Sequence, residues 1–500
     1  MSPKGRRGGE SAPKRVNAKG GPARARHVVV ALLALLQGCA TAPSEAPPVG
    51  VPSAWRTPAL AERSLADRPW GELFRSPELE ALVREALAAN ADLEIAAQRV
   101  ELARAQFGIQ RSFLYPQFGG TFNYDRQRLP VAGLDENKVY ESALLGLALS
   151  TWEIDLWGRV RAAAEGARRQ VLAAEETRLA AQVSIVAQVA TLFVQLLELD
   201  TQLDIARRTA ATRRESLRLV DLRYRGGVAS KLEVQDATTL VAGADQSIAE
   251  FERVRARTEN ALAVLVGRLP GAIARPPELR EFPTPAQLPA GLPSELMLRR
   301  PDVRAAEQAL QAADANIEAA RKAFYPSITL TGLLGFASPQ LRDLFDSGRY
   351  AWQLSPAVTL PIFTAGRLQA NLEGTQAQRA IALEQYKVAV RSAFRDVDDA
   401  LSDYRRYTEE RAALTTSVDA HRERLRLSEL RYRGGVASYF EVLDSSRQLF
   451  QAEVQLVQSL RGQYSAVIDL YRALGGGFES QSSPVDLPGS PGAPHRRPPA

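Results

Sequence analysis

Apolar and polar positions along the chain change period several times, and each change predicts a different element. From Ser76, apolar residues recur every three or four positions, which predicts a helix that ends near Phe113. In 118–125 and 145–150, apolar residues alternate with small or polar ones, which predicts two strands. Each strand has the length of a tilted membrane-spanning strand, roughly 10 residues.

The following segment, 159–225, contains no proline and one internal glycine, Gly166. Leucines at 192, 196, 199 and 203 mark an apolar stripe along it. A continuous helix of this length extends about 100 Å at ~1.5 Å per residue. A turn and a return helix from about Lys231 to Val266 complete a long hairpin.

The sequence of this turn occurs twice in the chain. Residues 222–230 and 430–438 both read LRYRGGVAS, 208 positions apart. The Gly-Gly pair supplies the positive φ of a tight reversal, and Ser230 and Ser438 stand where a helix N-cap is expected. Nine identical residues at this separation indicate an internal duplication.

The second copy predicts the same plan as the first. A helix from 294 to about 323 is followed by strands near 328–331 and 352–360, a long helix after Gly366, and a return helix to about Leu474. The predicted domains are a signal peptide 1–38, a flexible tether 39–75, a first repeat 76–267, a proline-rich linker 268–293, a second repeat 294–475 and a disordered tail 476–500.

Charge is concentrated at the N-terminus. The whole chain carries +6, but residues 1–38 hold eight basic residues against Glu10 alone, and removing this excess of seven leaves −1. Nucleic acid is therefore not an expected partner. His and Cys are scarce, with His421 the one histidine inside the predicted repeats, so Cys/His metal sites and Cys–His or Ser–His nucleophiles are not expected. We expect no enzyme activity and no cofactor.

The N-terminus has the layout of a secretory signal. Basic residues precede a short apolar run, 28–36, and Gln37-Gly38-Cys39 follows. This ending resembles a bacterial lipobox, with Cys39 as the lipid acceptor and with Gln37 atypical. The alternative is a signal peptide that ends near an unmodified cysteine.

Four membrane-length strands in one chain cannot form a closed barrel. Unpaired strand edges cannot face lipid, and single-chain barrels need at least eight strands. Two chains would supply eight strands with a filled interior, and three would supply twelve with room for a pore. The pattern favours three chains over two.

Several motifs together resemble those of the outer-membrane efflux factors of the TolC/OprM type, in particular the NodT-like lipoproteins associated with RND pumps. The matching segments are 70–74 (WGELF), 115–116 (YP), 152–159 (WEIDLWGR), 292–294 (LPS), 299–302 (RRPD), 361–363 (PIF) and the two YRGGVAS tips. The resemblance covers roughly residues 55–477.

This resemblance implies a fold that is mainly α with a transmembrane β part. Duplicated helical hairpins would form a periplasmic α-barrel, and four strands per chain would complete a trimeric, twelve-stranded outer-membrane β-barrel. It implies a lipid-anchored passive duct for small molecules, which extends into the periplasm and is coupled to an inner-membrane RND-type pump by a periplasmic adaptor.

The resemblance also implies roles for residues at the tips. Glu441 and Asp444 would ring the periplasmic aperture, and Tyr432 would belong to the contacts that close it. The family's closing arginine position is occupied by Ala437, so Arg431 or Arg433 would have to substitute. The tip and adaptor-contact residues are Tyr224, Arg225, Gly226, Gly227, Val228, Tyr432, Arg433, Gly434, Gly435 and Val436.

Simpler interpretations of these residues stay open. Glu441 and Asp444 are three apart on a helix, which is also the pattern of a solvated face; Glu233 and Asp236 are their counterparts in the first copy. Tyr224 and Tyr432 are equally consistent with hairpin packing. For the whole chain, the alternatives are a duct for type I protein secretion and a coiled-coil scaffold without a pore.

Overall fold

The computed structural model describes residue 50 and residues 52–57, 64–67, 76–130, 137–276, 279, 288–291 and 293–476. The first repeat contains α1 (Pro77–Ala89), α2 (Ala91–Ser112), β1 (Phe118–Pro130), β2 (Asn137–Glu153), α3 (Arg159–Arg225) and α4 (Lys231–Leu265). The second contains α5 (Pro293–Arg299), α6 (Pro301–Lys322), β3 (Ser327–Ser338), β4 (Tyr350–Thr359), α7 (Arg367–Arg433) and α8 (Tyr439–Ala473). The predicted order of helices and strands is confirmed.

The first helix of each repeat is broken, which contradicts the prediction of uninterrupted helices over 76–113 and 294–323. Asn90 ends α1 and caps α2, because its side-chain oxygen accepts the Leu93 N–H at 3.1 Å. In the second repeat Pro301 begins α6, since a proline disfavours helical geometry in the residue before it.

The residues at the two breaks make the same contact with different side chains. Asn90 Nδ2 donates to the carbonyl of Leu265 at 2.8 Å, and Arg300 Nη1 donates to the carbonyl of Ala473 at 3.2 Å. Leu265 and Ala473 are the last residues of the return helices α4 and α8. Each break therefore satisfies one of the carbonyls that a helix end leaves unpaired.

The long helices α3 and α7 are each 67 residues long, as predicted. α3 is the central one: its middle packs Val189, Phe193 and Leu196 against α1, α4 and α8 in the main apolar core. By length and composition α3 could cross a membrane, but half of its apolar stretch is buried within the chain, so we assign that stretch to the core. α7 packs against α6 and α8, and the apolar side chains of Ile381 and Val388 remain exposed.

The four strands form one antiparallel sheet in the order β1-β2-β3-β4. The pairing of β2 with β3 joins the two repeats, with Leu147 opposite Leu334 and Leu334 opposite Trp352. One face is apolar and largely exposed, and carries Phe118, Phe122, Leu147, Leu334, Phe336, Trp352, Leu354 and Val358. The opposite face carries mostly small or polar side chains.

Two glycines on the second face allow β2 and β3 to approach. Gly146 is paired with Gly335, and a Cβ added at Gly335 would overlap the carbonyl oxygen of Leu145. A Cβ at Gly146 would lie 2.7 Å from the carbonyl oxygen of Leu334. Glycine is therefore required at 146 and 335 by the close approach of the two strands.

Part of the predicted flexible tether is docked. Trp55 Nε1 donates to the carbonyl of Gly291 at 2.8 Å, and its ring lies 5.9 Å from that of Phe394 on α7. The backbone N–H groups of Arg56 and Thr57 both donate to Asp398 Oδ1. At the other end, Gly476 N–H donates to Tyr471, so the ordered chain includes the first residue of the predicted tail.

Candidate functional site at the hairpin tips

Both hairpins reverse through the same backbone motif. In the first tip, Gly227 has φ +75° and its N–H donates to Tyr224, while the N–H of Val228 donates to Arg223. In the second tip, Gly435 has φ +71° and the same two bonds run to Tyr432 and Arg431. This pair of bonds satisfies the last carbonyls of a helix that ends in a left-handed glycine. The predicted turns are confirmed, and the positive φ belongs to the second glycine of each pair.

Apolar side chains protrude at both tips. Val228 is 68% exposed and Val436 is 71% exposed. Exposed arginines flank them, Arg225 beside Asp221 at 2.7 Å and Arg433 beside Glu429 at 3.6 Å. Each tip thus presents an apolar apex with charged sides.

The two tip tyrosines have different surroundings. Tyr432 donates through its hydroxyl to Glu233 Oε2 at 2.9 Å, and Arg223 Cζ lies 4.6 Å above its ring. Its ring centroid is 5.2 Å from that of the buried Tyr439. Tyr224 is 42% exposed, and its hydroxyl has no hydrogen-bond acceptor among the described residues. Within one chain, Tyr432 therefore links the second tip to the first.

Burial raises the pKa of Tyr432 to about 12, and the hydrogen bond to the Glu233 carboxylate adds to this rise. Burial also raises the pKa of Tyr439 to about 12. Both phenols are therefore neutral donors or packing groups at physiological pH.

The acidic residue that follows each tip also has different contacts. Glu233 Oε1 accepts the Ser230 N–H at 3.1 Å, while Ser230 Oγ accepts the Glu233 N–H at 3.2 Å, and together these bonds form a capping box. Ser438 is the N-cap of α8 but makes no side-chain cap bond. Glu441 instead lies 3.7 Å from Arg431 Nε.

Asp444 is paired within its own chain. Arg424 Nη2 donates to Asp444 Oδ2 at 2.6 Å, and Gln448 donates to the same oxygen at 2.8 Å. The side chains of Glu441 and Asp444 are 44% and 36% exposed. A single chain therefore places both acids on an accessible face with an arginine beside each one, and the ring of carboxylates at an aperture remains a prediction.

Sequence reasoning missed two residues that contact Tyr432 of the second tip. Arg223 lies over its ring and Tyr439 packs beside it. Arg213, farther from the tip on α3, was also missed. A direct comparison of the copies could have found Tyr439, because Lys231 occupies its position in the first copy. Cys39 and the motif at 70–74 lie outside the described residues. Among those that are described, no group of three or more His, Cys, Asp or Glu side chains is placed to hold a metal.

Known proteins share this arrangement over nearly its whole length. The family model described as "Outer membrane efflux protein" matches residues 82–268 and 292–476, one match for each repeat. The chain belongs to the outer membrane efflux protein family.

Two curated relatives of this family come from Pseudomonas putida. The antibiotic efflux pump outer membrane protein ArpC is 36% identical over 458 residues, which cover 90% of this chain and 94% of the relative. The toluene efflux pump outer membrane protein TtgC has the same identity and coverage.

A solved structure shows the same fold. The MtrE outer membrane channel of Neisseria gonorrhoeae, crystallised in its open state, is 35% identical with a TM-score of 0.79 and covers 88% of this chain and 98% of that one. Membership of the family places the chain in the outer membrane with its helical part in the periplasm. The apolar face of the sheet is then the face that contacts lipid, because no water is available there to solvate polar side chains.

Proposed function

We propose that this chain forms the outer-membrane duct of a tripartite efflux system and passively conducts small molecules delivered by an inner-membrane pump of the RND type. The four-stranded sheet carries this proposal, since its apolar face matches lipid while its other face is small or polar and suits a water-filled lumen. The names of the two relatives, with antibiotic and toluene efflux, favour drug-like and apolar solutes over protein cargo.

The function is tested by deleting the gene and restoring it on a plasmid. Loss of tolerance to antibiotics and aromatic solvents, with recovery on complementation, is expected. Unchanged tolerance together with loss of a secreted protein would favour the type I secretion duct. If purified protein in planar bilayers gives no conductance, the scaffold without a pore is favoured.

We infer that three chains assemble, because the sheet of one chain has two open edges. β2 pairs with β3 across the repeat boundary, whereas the outer edges of β1 and β4 have no strand partner within the described chain. By the same rule, β4 of one chain pairs with β1 of the next. Three chains give twelve strands, and the closed ring leaves no edge exposed to lipid.

The helices support the same ring. α6 packs between α3 and α7, whereas its counterpart α2 packs against α3 and leaves an exposed apolar stripe at Ile95, Leu102 and Ile109. These residues are seven apart, as are the exposed Ile381 and Val388 of α7. A seven-residue spacing is that of helices packed side by side in a coiled coil, so α7 of one chain fits α2 of the next.

Cysteine cross-linking tests this interface, since Cys39 is the chain's only native cysteine. Leu102→Cys combined with Val388→Cys or with Ile381→Cys should give cross-linked dimers and trimers under oxidation. Leu102→Cys with Thr415→Cys, which lies about 40 Å further along α7 at ~1.5 Å per residue, is the matched control. A protein that remains monomeric by light scattering in detergent would contradict the ring.

Cys39 is the proposed lipid-anchor site. The lipobox-like signal motivates this proposal, and Cys39 lies 16 positions before Trp55, the first docked residue. Metabolic labelling with a palmitate analogue should mark the wild type and not Cys39→Ala. Absence of label on the wild type would favour the unmodified cysteine.

Glu441 and Asp444 are the proposed cation-selective ring at the aperture. Three copies bring up to six carboxylates around one axis, where they attract cations. Glu441→Gln with Asp444→Asn should reduce cation preference in planar bilayers. Glu233→Gln with Asp236→Asn should reduce it less and instead change the open fraction, because Glu233 holds Tyr432. No change in either double variant would favour the solvated-face interpretation.

A coupling surface for the periplasmic adaptor is proposed at the two tips. The exposed valines and arginines described above form an apolar apex with charged sides, which suits the tip of another helical hairpin. Val228→Asp with Val436→Asp should abolish efflux and adaptor cross-linking while the bilayer conductance persists. Loss of conductance as well would show that the variant damages the duct itself.

A further inference from the structure

A cavity of about 520 Å³ lies between the two hairpins, next to the tips. Its walls come from α3, α4 and α8. Phe440 and Asp236 lie near the starts of α8 and α4, at the end of the cavity that faces the tips. Cavities of this volume are typical of small-molecule sites. None of the residues assigned above to the aperture or the adaptor surface lines it.

Arg213 gives this cavity an unmatched positive charge. The residue is 6% exposed, and its guanidinium contacts the carbonyl of Leu240 at 3.1 Å, the carbonyl of Ser446 at 3.4 Å and Ser446 Oγ at 3.3 Å. These bonds use three of the five N–H groups of a guanidinium. No carboxylate forms an ion pair with Arg213 in the described part of the chain, and a buried charge without a partner is costly.

A second cation lies on α8, next to Ser446, which Arg213 contacts. Arg447 of α8 is exposed, and the described residues include no ion-pair partner for it. Burial lowers the pKa of Arg213, Tyr439 partly opposes this shift, and Arg447 adds to it. Asp236 is the one acidic residue among the lining residues and forms no ion pair with either arginine, so the lining carries a net charge of +1.

The remaining lining is mixed, with the polar residues Thr239 and Gln451 beside apolar and aromatic side chains. Phe450 lies with its ring centroid 5.5 Å from Arg213 Cζ, and Phe440 and Leu443 complete the surface. A ligand that fits both kinds of group offers a negative group for the arginines and an apolar or aromatic body for the phenylalanines beside them.

The duplication shows that hairpin packing does not by itself require these residues. In the first copy, Thr239 corresponds to Arg447 and Ala242 corresponds to Phe450. In the second copy, His421 corresponds to Arg213. Both copies nevertheless build the same hairpin with the same tip. The cationic and aromatic lining is therefore specific to this one groove.

We propose that this cavity binds a small organic anion whose carboxylate or sulfonate pairs with Arg213 and Arg447 and whose apolar body packs on Phe440 and Phe450. The ligand contacts α3 and α4 of the first hairpin and α8 of the second. It therefore holds the two hairpins in the relative position seen here. Binding at this site does not depend on transport through the duct.

The test uses the full chain in nanodiscs, with ligand-observed NMR as the readout and empty nanodiscs subtracted. The probe is naphthalene-2-sulfonate, with naphthalene-2-sulfonamide and inorganic sulfate as its uncharged and purely ionic counterparts. The sulfonate should bind with a dissociation constant of about 1 mM or tighter, as expected for a ligand of this size. The sulfonamide and sulfate should bind at least tenfold more weakly.

A filling variant locates the site. A Cβ added at Gly243, which lines the cavity in α4, meets no atom within 4 Å, so Gly243→Leu should fit and occlude the cavity. Ala256→Leu, also in α4, is the control, because Ala256 is exposed and does not line the cavity. The first variant should abolish sulfonate binding and the second should not.

A charge variant tests the electrostatics without touching the buried arginine. Arg447→Gln should weaken sulfonate binding about tenfold, because it removes one charge-assisted hydrogen bond. Arg208→Gln, elsewhere on α3, is the control and should leave sulfonate binding unchanged. Equal binding by wild type and Gly243→Leu, equal binding of the sulfonamide, or no binding to the wild type would each overturn the proposal.

Discussion

The first and second copies of the repeat share their plan but differ in the contacts their equivalent residues make. Both tips read LRYRGGVAS and turn through the same backbone bonds. Tyr432 of the second tip nevertheless contacts Glu233 and Arg223 of the first, while Tyr224 is exposed. Identical local sequence therefore fixes the turn and leaves the side-chain partners to the neighbouring helices.

The helix breaks give the converse case. Asn90 and Arg300 are different residues, yet each donates to the last carbonyl of its own return helix. Arg300 also pairs with Asp302 at 2.6 Å and with Asp396 at 3.2 Å, contacts that Asn90 does not have. The duplication has thus kept a contact while replacing the side chain that makes it.

The largest effect is expected from the two breaks. Arg300→Ala should lower the free energy of unfolding by about 2 kcal/mol, because it leaves Asp302 without its cation and the carbonyl of Ala473 without its donor. Asn90→Ala should cost about 1 kcal/mol, the usual loss for an N-cap. Thermal unfolding followed by circular dichroism measures both, with the exposed Arg84→Ala as control. Equal losses at the two breaks would show that the acids around Arg300 contribute nothing.

The next effect concerns the tip tyrosines. Tyr432→Phe should favour local opening of the tips by about 1–2 kcal/mol, since it removes the hydroxyl that donates to a carboxylate. Hydrogen exchange at residues 430–441 should accelerate accordingly. Tyr224→Phe is the matched control and should change exchange little. If both variants act equally, a neighbouring chain supplies a hydrogen-bond acceptor for Tyr224. In the proposed ring, Tyr224 would lie close to Arg431 and Glu441 of that neighbouring chain.

The same contact predicts a pH dependence. A free tyrosine ionises near pH 10, and the pKa of Tyr432 is raised to about 12. Its stabilisation should therefore be complete below about pH 10 and be lost as the pH rises to about 12. Glu233, Arg223 and Tyr439 are the charged and titratable groups that face the phenol. Ultraviolet titration of phenolate should show a late component that Tyr432→Phe reduces; an unchanged late component would point to Tyr439 alone.

The smallest effect is expected at the N-caps. Ser230→Ala should destabilise the start of α4 by about 1 kcal/mol, because Ser230 and Glu233 form a capping box. Ser438→Ala should cost close to nothing, since its side chain makes no cap bond. Hydrogen exchange in the first turns of α4 and α8 compares the two. A greater loss at Ser438 would reverse this assignment.

Much of the fold follows from local pattern. Periods of two and of three to four residues predicted the strands and helices, and the absence of proline from 159–225 predicted the uninterrupted α3. The breaks at Asn90 and Arg300 were missed although each has a local signal, the cap from Asn90 to Leu93 and the proline at 301. The carbonyl that each break residue binds could not be predicted, because it lies more than 170 positions away in the sequence. The site was predicted as a set of tip residues, but the link from Tyr432 to Glu233 was not, since it joins two hairpins.

The sequence by itself determined the duplication, the order of helices and strands, the two glycine turns and the alternation that gives the sheet one apolar face. These depend on contacts between residues close in the chain, where spacing alone decides which side chains share a face. Within the described part of the chain, tertiary structure decided that the hydroxyl of Tyr432 and not that of Tyr224 is hydrogen-bonded, that Ser230 and not Ser438 caps its helix, and that Arg213 is buried without a carboxylate beside it. Those outcomes depend on which helix lies beside each residue, and an identical nonapeptide carries no information about its neighbours.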